Sequence, residues 1–156
     1  MRLANKVAII TGATGDIGAS TARKFLDEGA SVMLAGRSAE KLQSLAGKLN
    51  AGNKAKFIAG DIGSELDVEA LVNETVKGFG QLDIFFANAG TEGTTAPLEE
   101  QTLEDFTDVL KTNVIGVWLC IKYGAQVMRN NNSDSSIIVT SSGAGVLGYE
   151  GGGPYI

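Results

Sequence analysis

The 156-residue sequence contains no histidine, a single cysteine and only 2 prolines. Without histidine there is no Ser-His-Asp triad, no Cys-His pair and no metal site built on imidazole, and no metal-binding residues are expected. Cys120 cannot form an internal disulfide, which points to a reducing compartment, with the cytoplasm as the expected location. No apolar run approaches the ~18 residues of a membrane span, and the first residues lack a secretory h-region, so no membrane partner is expected. The net charge of −5 argues against a nucleic-acid partner.

Glycine, by contrast, is abundant. Its 21 residues are nearly twice the usual share of ~7%. There is no G-X-Y period, and 44% hydrophobic content is too high for a disordered chain. The glycines are therefore expected where backbone turns tightly or approaches a ligand. Charge is uneven: residues 1–54 carry 8 Lys/Arg against 4 Asp/Glu, and residues 55–156 carry 5 against 14. A mildly basic first third suits a phosphate-bearing ligand, although such runs are also ordinary solvated helix faces.

Short apolar runs alternate with helical patterns from end to end. Strands are expected at Lys6–Ile10, Ser31–Ala35, Ala55–Ala59, Leu82–Ala87 and Ile137–Thr140. Helices are expected from Ile17 to about Asp27, at Ala39–Leu49 and Leu66–Phe79, and from Leu103 to about Met128. In the first of these, Ile17, Thr21 and Phe25 stack on one face, and Gly29 marks the stop. Arg129–Ser136 reads as an Asn/Ser-rich loop and Ser141–Ile156 as a glycine-rich loop without periodicity. Strict alternation makes this an α/β chain with an open, mostly parallel sheet and helices on both faces, expected to be one domain over residues 1–156. Ligands of such sheets bind beyond the carboxyl ends of the strands, and the polar, glycine-rich residues follow those ends.

The first strand-to-helix link is Thr11-Gly12-Ala13-Thr14-Gly15-Asp16-Ile17-Gly18. Glycines here let backbone N–H groups approach a pyrophosphate, and the following helix N-terminus favours its negative charge. This loop resembles that of the short-chain dehydrogenase/reductases, whose single-domain branch has Thr-Gly-x-x-x-Gly-x-Gly. Asp16 occupies the middle glycine position of that pattern. The spacing also fits Thr-Gly-x-x-Gly-x-x-Gly, the form of the extended branch that includes nucleotide-sugar epimerases and dehydratases. Asp16 is explicable as the N-cap of the first helix, with its carboxylate close to where a pyrophosphate would lie. Gly12, Thr14, Gly15, Asp16, Ile17 and Gly18 are the candidate phosphate-binding residues.

The resemblance continues along the chain. It implies a Rossmann-like doubly wound sheet and a nicotinamide dinucleotide cofactor. Gly36 stands where NAD-dependent relatives carry Asp, and Arg37 follows as a bidentate donor for phosphate, similar to NADP-preferring members. Arg37 and Ser38 are candidate cofactor-binding residues, and NADP is expected, with NAD as the alternative; the plain alternative is a solvated Arg37 before a helix capped by Ser38. Asp61-Ile62 resembles the family's pair that meets the adenine. Ala87-Asn88-Ala89-Gly90 resembles its Asn-Asn-Ala-Gly motif with Ala87 in place of the first Asn, and Asn88, Ala89 and Gly90 are candidate cofactor-binding residues, with Asn88 also tying the central strands together.

Asn113, Ser142 and Tyr155 match the family's catalytic Asn, Ser and Tyr, with Tyr155 13 residues after Ser142. By that resemblance Ser142 holds the substrate oxygen, Tyr155 acts as general acid/base and Asn113 supports a proton-relay water. Tyr149 is the poorer candidate, only seven residues after Ser142. The family's Lys, four positions past Tyr155, falls beyond Ile156. The chain is therefore expected to be the first three-fifths or so of a member, C-terminally incomplete, with about five strands and an exposed apolar fifth strand.

The function so implied is hydride transfer between a nicotinamide cofactor and a ketone or secondary alcohol, on a small-molecule substrate, in a protein that forms a homo-oligomer when full length. Two alternatives remain open at this point. One is a non-catalytic dinucleotide-binding fragment; the other is an epimerase or dehydratase of the extended branch.

Overall fold

The computed structural model describes residues 1–131 and 134–156; positions 132 and 133 of the expected Asn/Ser-rich loop lie outside the described residues. Five strands form one parallel sheet: β1 (Val7–Thr11), β2 (Ser31–Gly36), β3 (Ala55–Ala59), β4 (Ile84–Ala87) and β5 (Ser136–Val139). Their spatial order is β3-β2-β1-β4-β5. The chain thus winds outward from β1 to β3, then crosses back to lay β4 on the other side of β1. The topological switch point falls between β1 and β4.

Helices α1 (Asp16–Asp27), α2 (Ala39–Leu49), α3 (Glu65–Phe79), α4 (Leu103–Leu110) and α5 (Val117–Met128) link the strands. Successive strand residues point to opposite faces, and the core divides accordingly. Ile9, Met33 and Phe85 pack with Val68, Leu71, Leu119 and Cys120, residues of α3 and α5. Ile10, Val32 and Leu34 pack instead with Ala22 of α1 and Leu42 and Leu49 of α2. Every residue of β1 is buried, as expected for a central strand covered on both faces.

The expected elements are all present, with shifted ends. The fourth strand starts at Ile84, not Leu82, and at Asp83 a side-chain bond joins the backbone bonds to Val7 and Ser136. Asp83 is fully buried, and its Oδ2 accepts from the backbone N–H of Val7 at 2.8 Å. The helix expected from Leu103 to Met128 is interrupted by a π-helical stretch, Lys111–Gly116, which carries Asn113. Such bulges recur at functional sites. The glycine-rich end has two single 3₁₀ turns, Gly143–Gly145 and Gly153–Tyr155.

Two readings of the first helix need correction. Gly15 is its N-cap and Asp16 its first helical residue, so the Asp16 carboxylate makes no capping bond. One position inside the helix, it acts through its charge on the helix dipole. Ile17 does not share a packed face with Thr21 and Phe25; it is 59% exposed and turned to the ligand side of the sheet. The buried stripe runs through Gly18 and Ala22.

β5 lies at one edge, paired with β4 alone, and leaves Ile138 and Val139 exposed, as expected. Among the described residues no helix is long and apolar enough to cross a membrane. Cys120 is fully buried, and burial pushes its thiol up to about 12. Alkylation is therefore expected to be negligible in the native protein and complete after denaturation, read by mass shift with iodoacetamide at pH 8. Labelling of the native protein at the rate of a free thiol would contradict the burial.

Candidate functional site

An open cleft of about 740 Å³ lies at the carboxyl ends of the strands, centred on the switch point. That is the size and place expected of a ligand site in an open α/β sheet. Its floor is the glycine loop. Gly12 adopts φ +61°, and a Cβ there would lie 2.9 Å from Ala89 Cα and 3.1 Å from Ala89 N, inside contact distance of the loop after β4. At buried Gly18 a Cβ would collide with the carbonyl oxygen of Gly12 and sit 2.8 Å from Ala13 Cα. The helix therefore begins directly against the loop only because both residues lack a side chain. Thr14, Gly15, Asp16 and Ile17 line the cleft above them, with the first amides of α1 unpaired within the helix.

The ends of β1 and β4 are tied by side chains. Thr11 is fully buried, and its hydroxyl oxygen accepts from the backbone N–H groups of Asn88 and Ala89 at 3.0 and 3.1 Å. Asn88 Nδ2 donates to the Thr11 carbonyl at 3.2 Å, and its Oδ1 accepts from the Thr140 hydroxyl at 3.0 Å. Asn88 so joins the ends of β1, β4 and β5, the tying role expected of it. Asn88, Ala89 and Gly90 also line the cleft.

At the far end stand Arg37, Asp61 and Ile62. Ser38 is not in the cleft lining; its hydroxyl accepts from the Lys41 N–H and caps α2, so the structure gives it the helix-end role. Asp61 Oδ1 accepts from the Gly63 N–H at 2.9 Å, and Oδ2 accepts from Lys111 Nζ at 2.9 Å. These bonds, Lys111 foremost, hold the Asp61 carboxyl below the usual carboxylate range, with the Arg37 charge adding to the effect. Arg37 itself has no hydrogen bond or ion pair among the described residues.

Asn113, Ser142 and Tyr155 all line the cleft, brought there by the π-helical stretch, the end of β5 and the last 3₁₀ turn. Asn113 is more committed than the sequence implied. Its Oδ1 accepts from the Thr91 N–H at 2.9 Å and its Nδ2 donates to the Thr91 carbonyl at 2.7 Å, clamping the loop after β4. Ser142 Oγ accepts from the Ala144 N–H at 3.2 Å, leaving its hydroxyl hydrogen to turn toward the cleft. Tyr149 is 44% exposed and not in the lining.

The sequence reading missed Thr11, Thr91, Gln101 and Lys111. Thr91 carried a signal, since it directly follows the Asn-Ala-Gly run. Gln101 Nε2 donates to the carbonyls of Ala96 and Gly151 at 2.8 and 3.2 Å, strapping the loop before α4 to the turn that carries Tyr155. Its contact and that of Lys111 each join residues 50 positions apart, which no local pattern reveals.

Comparison with known proteins follows the same lines. The family model described as short chain dehydrogenase matches residues 6–156. A glucose 1-dehydrogenase of Gluconobacter oxydans is 40% identical over 143 residues, covering 90% of this chain and 53% of that protein. An L-fucose dehydrogenase of Oryctolagus cuniculus is 37% identical over 154 residues, covering 99% of this chain and 52% of that protein. The crystal structure of an NAD+-bound xylitol dehydrogenase superposes with a TM-score of 0.93 at 33% identity, over 99% of this chain and 60% of that one. That of a levodione reductase gives 0.92 at 30% identity, with the same coverages. The chain therefore spans about half the length of the curated relatives it matches.

The loop geometry yields two opposite expectations. Gly18→Ala should lower stability by about 1–3 kcal/mol, since backbone rather than a flexible side chain blocks the added methyl. Asp16→Asn should instead tighten binding of a pyrophosphate-bearing dinucleotide about fivefold, the ~1 kcal/mol of one removed negative charge at close range in water. Thermal unfolding and nucleotide titration measure the two; unchanged affinity in Asp16→Asn would remove the carboxylate from the phosphate site.

Proposed function

The chain belongs to the short-chain dehydrogenase family, and from that premise we propose that residues 1–156 form the dinucleotide-binding domain of an NAD(P)-dependent oxidoreductase interconverting a ketone and a secondary alcohol. The observation that carries this reading is the meeting of Asn113, Ser142 and Tyr155 with the glycine loop in one cleft at the switch point. A dinucleotide fits the residues present: Gly12 and Gly18 let the glycine loop, the start of α1 and the loop after β4 close on one another, which sets the first amides of α1 at the cleft. When bound, the nicotinamide supplies the hydride chemistry.

The chain's own residues bind, orient and handle the proton. Gly12, Thr14, Gly15, Ile17 and the start of α1 hold the pyrophosphate; Asp61 and Ile62 flank the adenine. Asn88, Ala89 and Gly90 let the cofactor pass close to β4. Ser142 donates its hydroxyl hydrogen to the substrate oxygen, and Tyr155 gives or takes the proton at that same oxygen. Asn113 acts through the loop it clamps. A free Tyr has a pKa of ~10, so the proton-transfer role requires a neighbouring cation or hydrogen bond when substrate is bound.

The finer reading is NADP over NAD. It rests on Gly36, where an acidic residue would accept from the ribose hydroxyl and repel a 2′-phosphate, and on the uncommitted guanidinium of Arg37. Solved relatives include both an NAD+-bound enzyme and one complexed with 5-hydroxy-NADP, so the support for NADP comes from these residues and not from kinship. A small carbonyl or alcohol substrate and homo-oligomerisation belong to the same reading, the latter supported by exposed Val114, Trp118 and Ile121. A cytoplasmic location rests on the lone buried cysteine.

Two substitutions in the intact protein test the proposal. Tyr155→Phe should lower kcat by about 10²–10⁴-fold, the range of a lost general acid/base, while the dissociation constant for the dinucleotide holds within about twofold. A variant that keeps wild-type kcat excludes Tyr155 from the chemistry. Arg37→Ala should weaken NADPH binding about tenfold, roughly the 1.4 kcal/mol of one charge-assisted bond, and leave NADH unchanged. Equal losses for the two nucleotides would end the phosphate assignment.

A further inference from the structure

Asp61 is a negative charge in the lining of the cleft, at the end where Arg37 stands. Left to itself it would face Arg37 as a ready partner and repel any phosphate nearby. The structure gives it a different partner. Lys111 Nζ reaches Asp61 Oδ2 at 2.9 Å, while Asp61 Oδ1 is occupied by the Gly63 N–H. The Lys111 stem is laid across the Gly63 turn, where an added Cβ would lie 2.6 Å from its Cγ and 2.8 Å from its Cε. The ammonium is therefore delivered to one place.

The pair is open to water, with side-chain exposures of 44% for Lys111 and 37% for Asp61. An exposed ion pair of this kind contributes little to folding stability. What it changes is the local field. Asp67, whose Oδ2 accepts from the Asp61 N–H at 2.8 Å, and Asp108 also act on Lys111. Without Lys111, the Arg37 charge, which already acts on Asp61, would be the cation left to answer this acidic group.

We propose that Lys111 is a specificity-determining residue for the adenosine end of the cleft: by engaging Asp61 it cancels a repulsive charge and leaves Arg37 free for a 2′-phosphate. This rests on the reading of the cleft as an NADP site. Lys111 touches neither substrate nor reacting atoms; it acts through Asp61 and Arg37.

The test is titration of NADPH and NADH into the intact wild-type protein and the variants Lys111→Met, Lys111→Gln, Lys111→Arg and Asp61→Asn/Lys111→Met, with thermal unfolding alongside. Lys111→Met should raise the ratio of the NADPH to the NADH dissociation constant roughly two- to fourfold, the repulsion of one carboxylate on a phosphate of charge −1 to −2 about 10 Å away in water. Lys111→Gln should do the same, and it decides the matter if the Met variant unfolds. Lys111→Arg should keep the wild-type ratio, and the double variant should return toward it. A merely structural Lys111 would shift both constants together or only the melting temperature, and that result overturns the inference.

Arg37→Ala separates the two levels. If it weakens NADPH selectively while Lys111→Met does not, only the role of Lys111 falls. If it affects both nucleotides alike, the NADP reading falls and takes this inference with it. Binding of neither nucleotide by the wild type overturns both.

Discussion

The hydroxyl of Thr11 holds the site together. β1 and β4 are neighbours in the sheet, yet they are separated in sequence by two strands and three helices. At their carboxyl ends the ladder gives out, and the buried Thr11 oxygen takes over by accepting two backbone N–H groups of the loop after β4. Asn88 answers by donating to the Thr11 carbonyl. Unpaired in the core, such amides would each carry a desolvation cost of about 1–3 kcal/mol. Pairing them pins two loops against each other, and this pinning brings Ala89 so near that only glycine fits at position 12.

From that contact the rest of the cleft follows. A glycine at 12 lets the chain turn with φ +61°, and a second at 18 lets α1 start against the turn. The helix then presents its free amides into a cleft whose other wall is the loop tied to Thr11. Asn113 secures that wall from behind through Thr91, and Asn88 extends the tie to β5, from which Ser142 emerges. Gln101 straps the turn bearing Tyr155 to the loop before α4. The strands thus carry the cleft residues on loops held by side-chain bonds, an arrangement common to open α/β sheets.

Charge is arranged with the same economy. Asp16 stabilises the start of α1 through the dipole but places a carboxylate at the phosphate side of the cleft. At the opposite end Lys111 occupies Asp61, and Arg37 is left without a partner among the described residues. Of the basic residues among the first 54, Arg37 is the one in the lining of the cleft. Most of the other cations sit on solvated faces, such as Lys24 paired with Glu28 on α1.

Much of this was legible in the order of residues. Continuous apolar runs of strand length, alternating with 3.6-residue patterns, determine a parallel α/β sheet, because only burial on both faces explains uninterrupted strands such as Val7–Thr11. Gly12 and Gly18 stood out by type and place, and Asn88 and the trio of Asn113, Ser142 and Tyr155 by resemblance to a family pattern. Tertiary structure decided the rest. It turned Ile17 outward to the cleft, broke the long helix at Asn113 and joined Lys111 to Asp61 across 50 positions. Periodicity and motif spacing report local backbone and burial, which neighbours along the chain determine. Which charged or polar side chain meets which depends on how the strands cross over, and that is settled only when the sheet is assembled.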